Sequence, residues 1–326
     1  MPALKTEGPA VVTGGAGAIG SVLVRALLAR DLEVRVIDNF SSGRRELLPK
    51  GPTQGKLVLT TADLREPDAY YEQFQGAKSV WHLAANPDIR LGVRDPTVDL
   101  EQGTMTSFRV LEAARRHDVR RVFFSSSSVV YGLAKVYPTP EDYGPLQPES
   151  LYGAAKLAGE GLFSAYAHCY GISAYIYRFA NIIGPGMGHG VLIDFFEKLR
   201  KDPTRLEVLG NGHQAKSYLR TEDCVEGMIL AGERAPGLVN VFNLGTADRI
   251  SVREIAEKVV AAHGGRARIE YTGGDRGWTG DVPQQLLAID RIKALGWRPS
   301  SNSAGAIDRT IQELVNARKV PGGPAN

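Results

Sequence analysis

Cysteine is nearly missing from this chain. Cys169 and Cys224 are the only two in 326 residues, and neither shows metal-ligand spacing. That excludes a disulfide scaffold, sets the metal expectation at none, and leaves two buried, reduced thiols as the expectation. Long apolar runs are missing as well, because no stretch approaches the ~20 residues that cross a bilayer. Met1 to Gly8 carries one lysine and no apolar segment, so no secretion or import signal is expected and the cytoplasm is the expected location. Charge of one sign is not in excess. The 39 Lys and Arg against 36 Asp and Glu give a net +3, and the densest basic groups (Arg44-Arg45, Arg115-Arg116 and Arg120-Arg121) are isolated pairs where a nucleic-acid binder shows a stripe. Internal repeats and low-complexity tracts are not found. What is present, 43% hydrophobic and 23% charged residues, is the composition of a soluble globular enzyme long enough for one large and one smaller domain.

Glycine carries the first positive signal. The apolar segment Ala10-Val11-Val12-Thr13 runs into Gly14-Gly15-Ala16-Gly17-Ala18-Ile19-Gly20, then into a helical pattern with Val22, Leu23, Ala26 and Leu27 on one face. Gly15, Gly17 and Gly20 fit G-x-G-x-x-G, in which missing side chains let the backbone turn tightly, approach a pyrophosphate and pack helix on strand. The next strand, Glu33 to Ile37, ends in Asp38, at the distance expected of a carboxylate that binds both hydroxyls of an adenosine ribose. A carboxylate there repels a 2′-phosphate, so NAD is expected over NADP. Arg44 and Arg45, on the following loop, fit either a 2′-phosphate contact or a solvated loop. A third strand, Leu57 to Thr61, leads to Asp63, which suits the adenine edge or a helix cap equally well.

The alternation continues with a strand at Ser79 to Leu83, a helix at about Val98 to His117 and a strand at Arg121 to Ser125. A proline-marked loop, a helix to about Tyr170 and a strand at Ala174 to Arg178 follow. This pattern predicts an α/β fold, a Rossmann-type doubly wound parallel sheet with a smaller mixed α/β substrate domain. Residues 1–180 are expected to form the NAD-binding domain and 181–326 mainly the substrate domain, with some segments returning to the sheet. The segment Val320 to Pro324 reads as disordered. Glycine-rich residues 184–190 fit a pocket wall or a plain flexible loop.

Chemistry concentrates between Ser125 and Lys156. Tyr152 and Lys156 stand four residues apart, on one face of a helix, so the ammonium of Lys156 can favour a Tyr152 phenolate. A general base near neutrality needs such lowering, since a free tyrosine titrates near ~10. Ser127, at the end of a buried strand, can hold the substrate hydroxyl in line. The Tyr-x-x-x-Lys spacing alone also fits an ordinary exposed helix face.

With these neighbours the chain resembles the extended short-chain dehydrogenase/reductases, in their nucleotide-sugar epimerase and dehydratase branch, over nearly its whole length. The resemblance rests on Thr13 to Gly20, Asp38, Ala62-Asp63-Leu64, His82-Leu83-Ala84-Ala85, and Ser125-Ser126-Ser127 with Tyr131-Gly132. It also rests on Tyr152 with Lys156, on Arg178-Phe179-Ala180-Asn181 with Gly184-Pro185, and on the later Gly210-Asn211-Gly212, Lys216-Ser217-Tyr218, Gly280-Asp281-Val282 and Leu295-Gly296-Trp297. It implies bound NAD, held by Gly14, Gly17, Ala18, Ile19, Gly20, Asp38, Asn39, Ser42, Gly43, Asp63 and Leu64. Leu83, Ala84, Ala85, Ser125, Tyr152, Lys156 and Phe179 complete that set. It implies Tyr152 as base, Lys156 as its partner and Ser127 as the third catalytic group. Ser127, Ser128, Asn181, Lys216, Arg276 and Asp281 are the implied contacts to a nucleotide diphosphate sugar. Lys216 stands where many relatives carry arginine, Arg276 lies two residues further ahead of Gly280-Asp281 than usual, and turn capping also fits Asn181 and Asp281.

Within that branch the residues after Ser127 discriminate. Dehydratases carry Asp-Glu there, decarboxylases a Glu and the 3,5-epimerases a cysteine close by, whereas this chain has Ser128, Val129 and Val130. The resemblance therefore implies 4-epimerisation of a UDP-sugar, glucose with galactose, through a transient 4-keto intermediate. UDP-glucuronate is the alternative, with Arg90, Arg94 or Arg178 offering charge to its carboxylate. A non-catalytic dinucleotide-binding regulator is the reading from another class. Pairing through the helices at about Val98 to His117 and Leu151 to Tyr170 is the implied route to a homodimer. Neither a nucleic acid nor a membrane is an expected partner.

Overall fold

The computed structural model describes residues 8–319; Val320 to Pro324, expected to be disordered, lie outside them. The first strand, β1 (Ala10–Thr13), has no exposed residue on either face, as befits the middle of a parallel sheet covered on both sides. Helix α1 (Ala18–Leu28) starts at Gly17 and turns Leu23, Val24, Leu27 and Leu28 inward. Strands β2 (Val34–Asp38), β3 (Leu57–Thr61) and β4 (Ser79–His82) follow.

The single helix expected at 98–117 is a composite. It is preceded by a short turn of helix, α2 (Leu91–Arg94); α3 (Pro96–Asp99) then opens on an Asp95 cap, with Asp95 accepting from the Thr97 N–H. The chain widens into a π-helical turn at Leu100–Met105 and resumes as α4 (Thr106–Arg116). Gly103, in the wide turn, packs so closely on the helix α5 (Leu151–Tyr170) that an added Cβ would lie 2.9 Å from the Ala155 methyl. Strand β5 (Arg121–Ser127) lies between α4 and α5 and runs two residues past the expected end, because Ser126 and Ser127 still pair with Arg178 and Phe179 of β6 (Ser173–Phe179). Ser150 caps α5 by accepting from the Gly153 N–H at 3.1 Å, and Gly171, at φ 68°, ends it.

Beyond β6 the elements shorten: β7 (Asn181–Ile183), α6 (Val191–Lys201), β8 (Arg205–Val208), β9 (Ala215–Lys216) and β10 (Tyr218–Arg220). Helix α7 (Thr221–Arg234) leads to β11 (Val239–Leu244), then β12 (Ile250–Ser251), α8 (Val252–Ala262), β13 (Arg268–Tyr271), α9 (Asp290–Ala294) and α10 (Ser303–Lys319). A capping box, Ser251 with Glu254, starts α8.

One seven-stranded parallel sheet, in the order β11-β6-β5-β4-β1-β2-β3, organises the molecule. The strand order reverses between β1 and β4, and the crevice at their carboxyl ends is where open sheets of this kind hold a ligand. One apolar layer, with Leu23, Leu27, Phe123 and Met228, covers one face, and a second, with Phe74, Leu111, Phe124 and Phe163, covers the other. A separate cluster around Phe195, Phe196, Ile255 and Ile307 is the core of the shorter elements. Of the two thiols expected to be buried, Cys224 is and Cys169 is not. Cys169 falls on the outer face of the last turn of α5, where the apolar stripe has already been supplied by Phe163, Tyr166 and Ala167. Among the described residues no helix is long and apolar enough to cross a membrane.

Candidate active site

Two adjoining cavities lie over the carboxyl ends of the strands and share Ile19, Ser126, Tyr152 and Phe179 as common wall. The first, of about 560 Å³, lies over the glycine turn. Gly14, Gly17, Ala18, Ile19 and Gly20 form its floor. Asp38, Asn39, Ser42, Gly43, Asp63 and Leu64 close one end, and Leu83, Ala84, Ala85, Ser125, Tyr152, Lys156 and Phe179 close the other. Every residue in the expected cofactor set therefore faces one space.

The glycine turn fits such a ligand for a steric reason. A Cβ on Gly20 would lie 2.1 Å from the Gly14 carbonyl oxygen, and one on Gly15 2.7 Å from Val36, so both are consumed by close packing of turn, helix and strand. Gly17 differs: a Cβ there would meet only the Gly14 carbonyl, at 3.3 Å, while Gly17 itself lines the cavity. Its bareness keeps the ligand's approach to the backbone open. Asp38 accepts from the N–H groups of Ala16 at 2.9 Å and Phe40 at 2.8 Å, which fixes its carboxylate against Gly43. Asp63 accepts from the Arg65 N–H and guanidinium and from Asn39, and the Arg65 contacts hold it well below the usual carboxylate range. It caps no helix; the short helical turn behind it begins at Glu66. Arg45 lies over the Phe40 ring at 4.7 Å and reaches the Thr61 hydroxyl at 3.4 Å.

Tyr152 and Lys156 project from the first turns of α5. Lys156 is 4% exposed and donates to the Ser125 carbonyl at 2.7 Å, with its Nζ 5.5 Å from the centre of the Tyr152 ring. Burial pushes the Lys156 ammonium down to about 8, with Asp99 opposing. The expected lowering of Tyr152 is absent. Burial pushes its phenol up, and Asp99 adds to that. Desolvation of the phenolate outweighs a lysine that spends its hydrogen bond on Ser125. Ser127 begins a short helical turn and accepts from the Val129 N–H at 3.4 Å.

His82 has no chemistry. It is buried and pushed down to about 3, chiefly by burial and then by Lys156. The Ser107 hydroxyl donates to the Gly103 carbonyl and so accepts from His82 Nε2, while Thr13 donates to Nδ1. A neutral imidazole satisfies both bonds.

The second cavity, of about 460 Å³, is lined by Ser127, Ser128, Asn181, Lys216 and Asp281 of the expected substrate set. Lys216 donates to Asp281 at 2.7 Å, Asp281 also accepts from the Gly277 N–H, and Asn181 donates to the Ser217 carbonyl. Arg276 does not join them: it is exposed and paired with Glu149 at 3.1 Å. Arg178 offers no charge to a substrate either. It is 6% exposed and locked on Glu160. Arg94 is exposed away from both cavities, whereas Arg90 lines both and is bonded to Asp88.

Sequence reasoning missed Asp99, Glu160, Trp278 and Gln285. Trp278 and Gln285 line the second cavity, and Asp99 is buried with its Oδ1 on Asn86 and no hydrogen-bond partner for Oδ2 among the described residues. Only Glu160 had a signal, standing one helical repeat beyond Lys156.

The model of the NAD dependent epimerase/dehydratase family matches residues 10–245. A UDP-glucose 4-epimerase of Mycolicibacterium smegmatis is 33% identical over 314 residues, 94% of this chain and 98% of its own. A crystal structure of UDP-galactose 4-epimerase shares 40% identity at a TM-score of 0.85, covering 94% of this chain and 99% of that one. The UDP-glucose 4-epimerase of Thermus thermophilus, solved as a complex with NAD, shares 29% identity at a TM-score of 0.84, covering 96% and 100%.

Proposed function

The chain belongs to the NAD dependent epimerase/dehydratase family, and from that premise we infer that it is an isomerase that uses NAD to interconvert UDP-glucose and UDP-galactose. It inverts carbon 4 through a transient 4-keto sugar. The observation that carries this reading is the place of Tyr152, on the wall between the cavity over the glycine turn and a second one lined by Ser127 and the Lys216–Asp281 pair.

Residues 1–180 serve the cofactor and 181–326 mainly the sugar nucleotide. NAD, which Gly17, Asp38 and Lys156 would help to hold, would supply the hydride acceptor and donor for carbon 4. Tyr152 takes the proton of the 4-hydroxyl, Ser127 holds that oxygen in line, and Lys156 supplies the positive charge that a phenolate needs. Asn181, Lys216 and Asp281 retain the nucleotide end, so the hexose can turn over in the cavity before hydride returns to its other face. The segment from Ser127 to Tyr131 brings no carboxylate or thiol to the hexose, which suits a reaction without elimination, decarboxylation or exchange at carbons 3 and 5. The alternative reading is a UDP-glucuronate 4-epimerase, which Arg90 supports by its place at the junction of the cavities, where it is paired with Asp88.

Incubation with UDP-galactose, UDP-glucose and UDP-glucuronate tests this directly. Interconversion of the glucose and galactose forms is expected, with turnover reduced by about 10²-fold to 10⁴-fold in Tyr152→Phe; a protein that leaves all three unchanged is not this enzyme.

Two copies pair through the helices at about Val98 to His117 and Leu151 to Tyr170. Leu100, Phe108, Leu151 and Tyr170 on them are each more than a third exposed, apolar side chains that a lone molecule leaves wet. The exposed free thiol of Cys169 suits the reducing cytoplasm.

A further inference from the structure

Below Tyr152 the helix α5 is joined to the serine strand β5 by successive contacts. Tyr152, Lys156 and Glu160 recur every four residues and share one face of α5. Lys156 donates to the Ser125 carbonyl at 2.7 Å, and the Ser126 hydroxyl donates to Glu160 Oε1 at 2.5 Å. Arg178, opposite Ser126 in the sheet register, donates from Nε and Nη2 to the two oxygens of Glu160 at 2.9 and 2.7 Å. Its Nη1 donates to the Tyr131 hydroxyl and the Glu141 carbonyl, both at 2.9 Å. Tyr131 donates to Asn243 of β11, whose N–H donates back to the Glu141 carboxylate. One buried node therefore ties together β5, β6, β11, α5 and the loop that ends in the Ser150 cap.

Stability alone does not account for this node. A buried ion pair is expensive to desolvate, and a pair of apolar side chains in its place commonly leaves a protein as stable or more so. A planar two-bond contact does fix distance and angle, which apolar packing does not.

We propose that the Glu160–Arg178 pair, keyed to Ser126, is a positioning element that sets the separation of Tyr152 from Ser127 and thereby the turnover number. The kinetic part rests on the function proposed above; the geometric part does not.

The test uses the full-length protein with Ser126→Ala, which removes the key and leaves the pair, and the double variant Glu160→Met with Arg178→Met. Crystal structures of wild type and Ser126→Ala are compared first, and a change in the Tyr152 to Ser127 separation of about 0.5 Å or more is expected, a displacement large enough to matter to a reacting geometry. With UDP-galactose, kcat is expected to fall about 10-fold to 100-fold in Ser126→Ala, the rate equivalent of one hydrogen bond to a charged group. KM and the melting temperature remain near wild type. The double variant, where it folds, is expected to melt below wild type, because the Ser126 hydroxyl and the Glu141 carbonyl lose their partners, and to turn over more slowly than Ser126→Ala. An unchanged separation overturns the proposal, as does Ser126→Ala with kcat within about twofold of wild type, less than half a kcal/mol of barrier, or a double variant with wild-type kcat. If wild type itself turns over no UDP-sugar, the proposed function fails and the crystallographic separation still decides the positioning role.

Discussion

Replacing Lys156 by methionine should make the cofactor-free protein's stability respond differently to pH. Lys156 is 4% exposed, and its ammonium titrates at about 8 in the folded protein against an ordinary value of 10.5. Between those values the unfolded chain holds a proton that the folded chain has released, so the folded state gains stability as pH rises through that window. Below pH 8 the burial cost stands in full. The gap corresponds to about 3 kcal/mol, of which about 2 kcal/mol is recovered between pH 7 and 9.5. Methionine fills similar volume without charge, so the variant lacks that recovery, although it leaves the Ser125 carbonyl unpaired at a cost of about 1–3 kcal/mol. The assay is urea unfolding of both proteins, freed of dinucleotide, at half-unit steps from pH 7 to 9.5. Wild type should gain about 2 kcal/mol on the variant across the series. A difference that stays flat to within about 0.5 kcal/mol, below what one such group can contribute, would refute the account of Lys156 as a desolvated ammonium.

Three other outcomes follow from the site and its surface. Gly20→Ala places a methyl 2.1 Å from the Gly14 carbonyl oxygen, so it should cost about 1–3 kcal/mol by thermal unfolding and abolish dinucleotide binding in a fluorescence titration. Asp38→Asn should weaken NAD by about 10-fold to 100-fold, the equivalent of one charge-assisted hydrogen bond, and bring NADP closer to it in competition binding; wild type that prefers NADP would overturn the role of Asp38. Phe108→Glu puts a charge on the exposed face of α4, and size-exclusion chromatography should then show monomer where wild type shows dimer, with a monomeric wild type refuting the pairing surface.

The parts of this molecule that could be read from sequence are those where a local pattern has a single physical use. A buried strand running into three spaced glycines and a helix, with an acid at the end of the next strand, leaves few folds open, and Gly14, Gly17, Ala18, Ile19, Gly20 and Asp38 do face one cavity. The length of β5 was not legible, since nothing local to Ser126 and Ser127 announces their partners 52 residues away on β6. The break in the 98–117 helix was hidden for a similar reason: Gly103, inside the wide turn, packs on Ala155 of another element. Arg178 misled because a strand-end arginine beside a ligand motif looks available, and its bidentate partner, Glu160, sits on another element. The direction of the Tyr152 shift depends on burial and on Asp99, quantities that a four-residue spacing does not contain.

The chain leaves the main sheet after β6, builds part of the smaller lobe in β7 to β10, comes back to lay β11 beside β6 as the outermost strand, and then returns to the lobe with β12, α8, β13 and α10. The lobe is thus stitched from two stretches, one before and one after the border strand, which share the apolar core of Phe195, Phe196, Ile255 and Ile307 and pair β13 with β8. Cutting away either stretch would open that core to water. A relative that reshapes the second cavity therefore has to change both stretches in step, and the dinucleotide shelf need never be rebuilt.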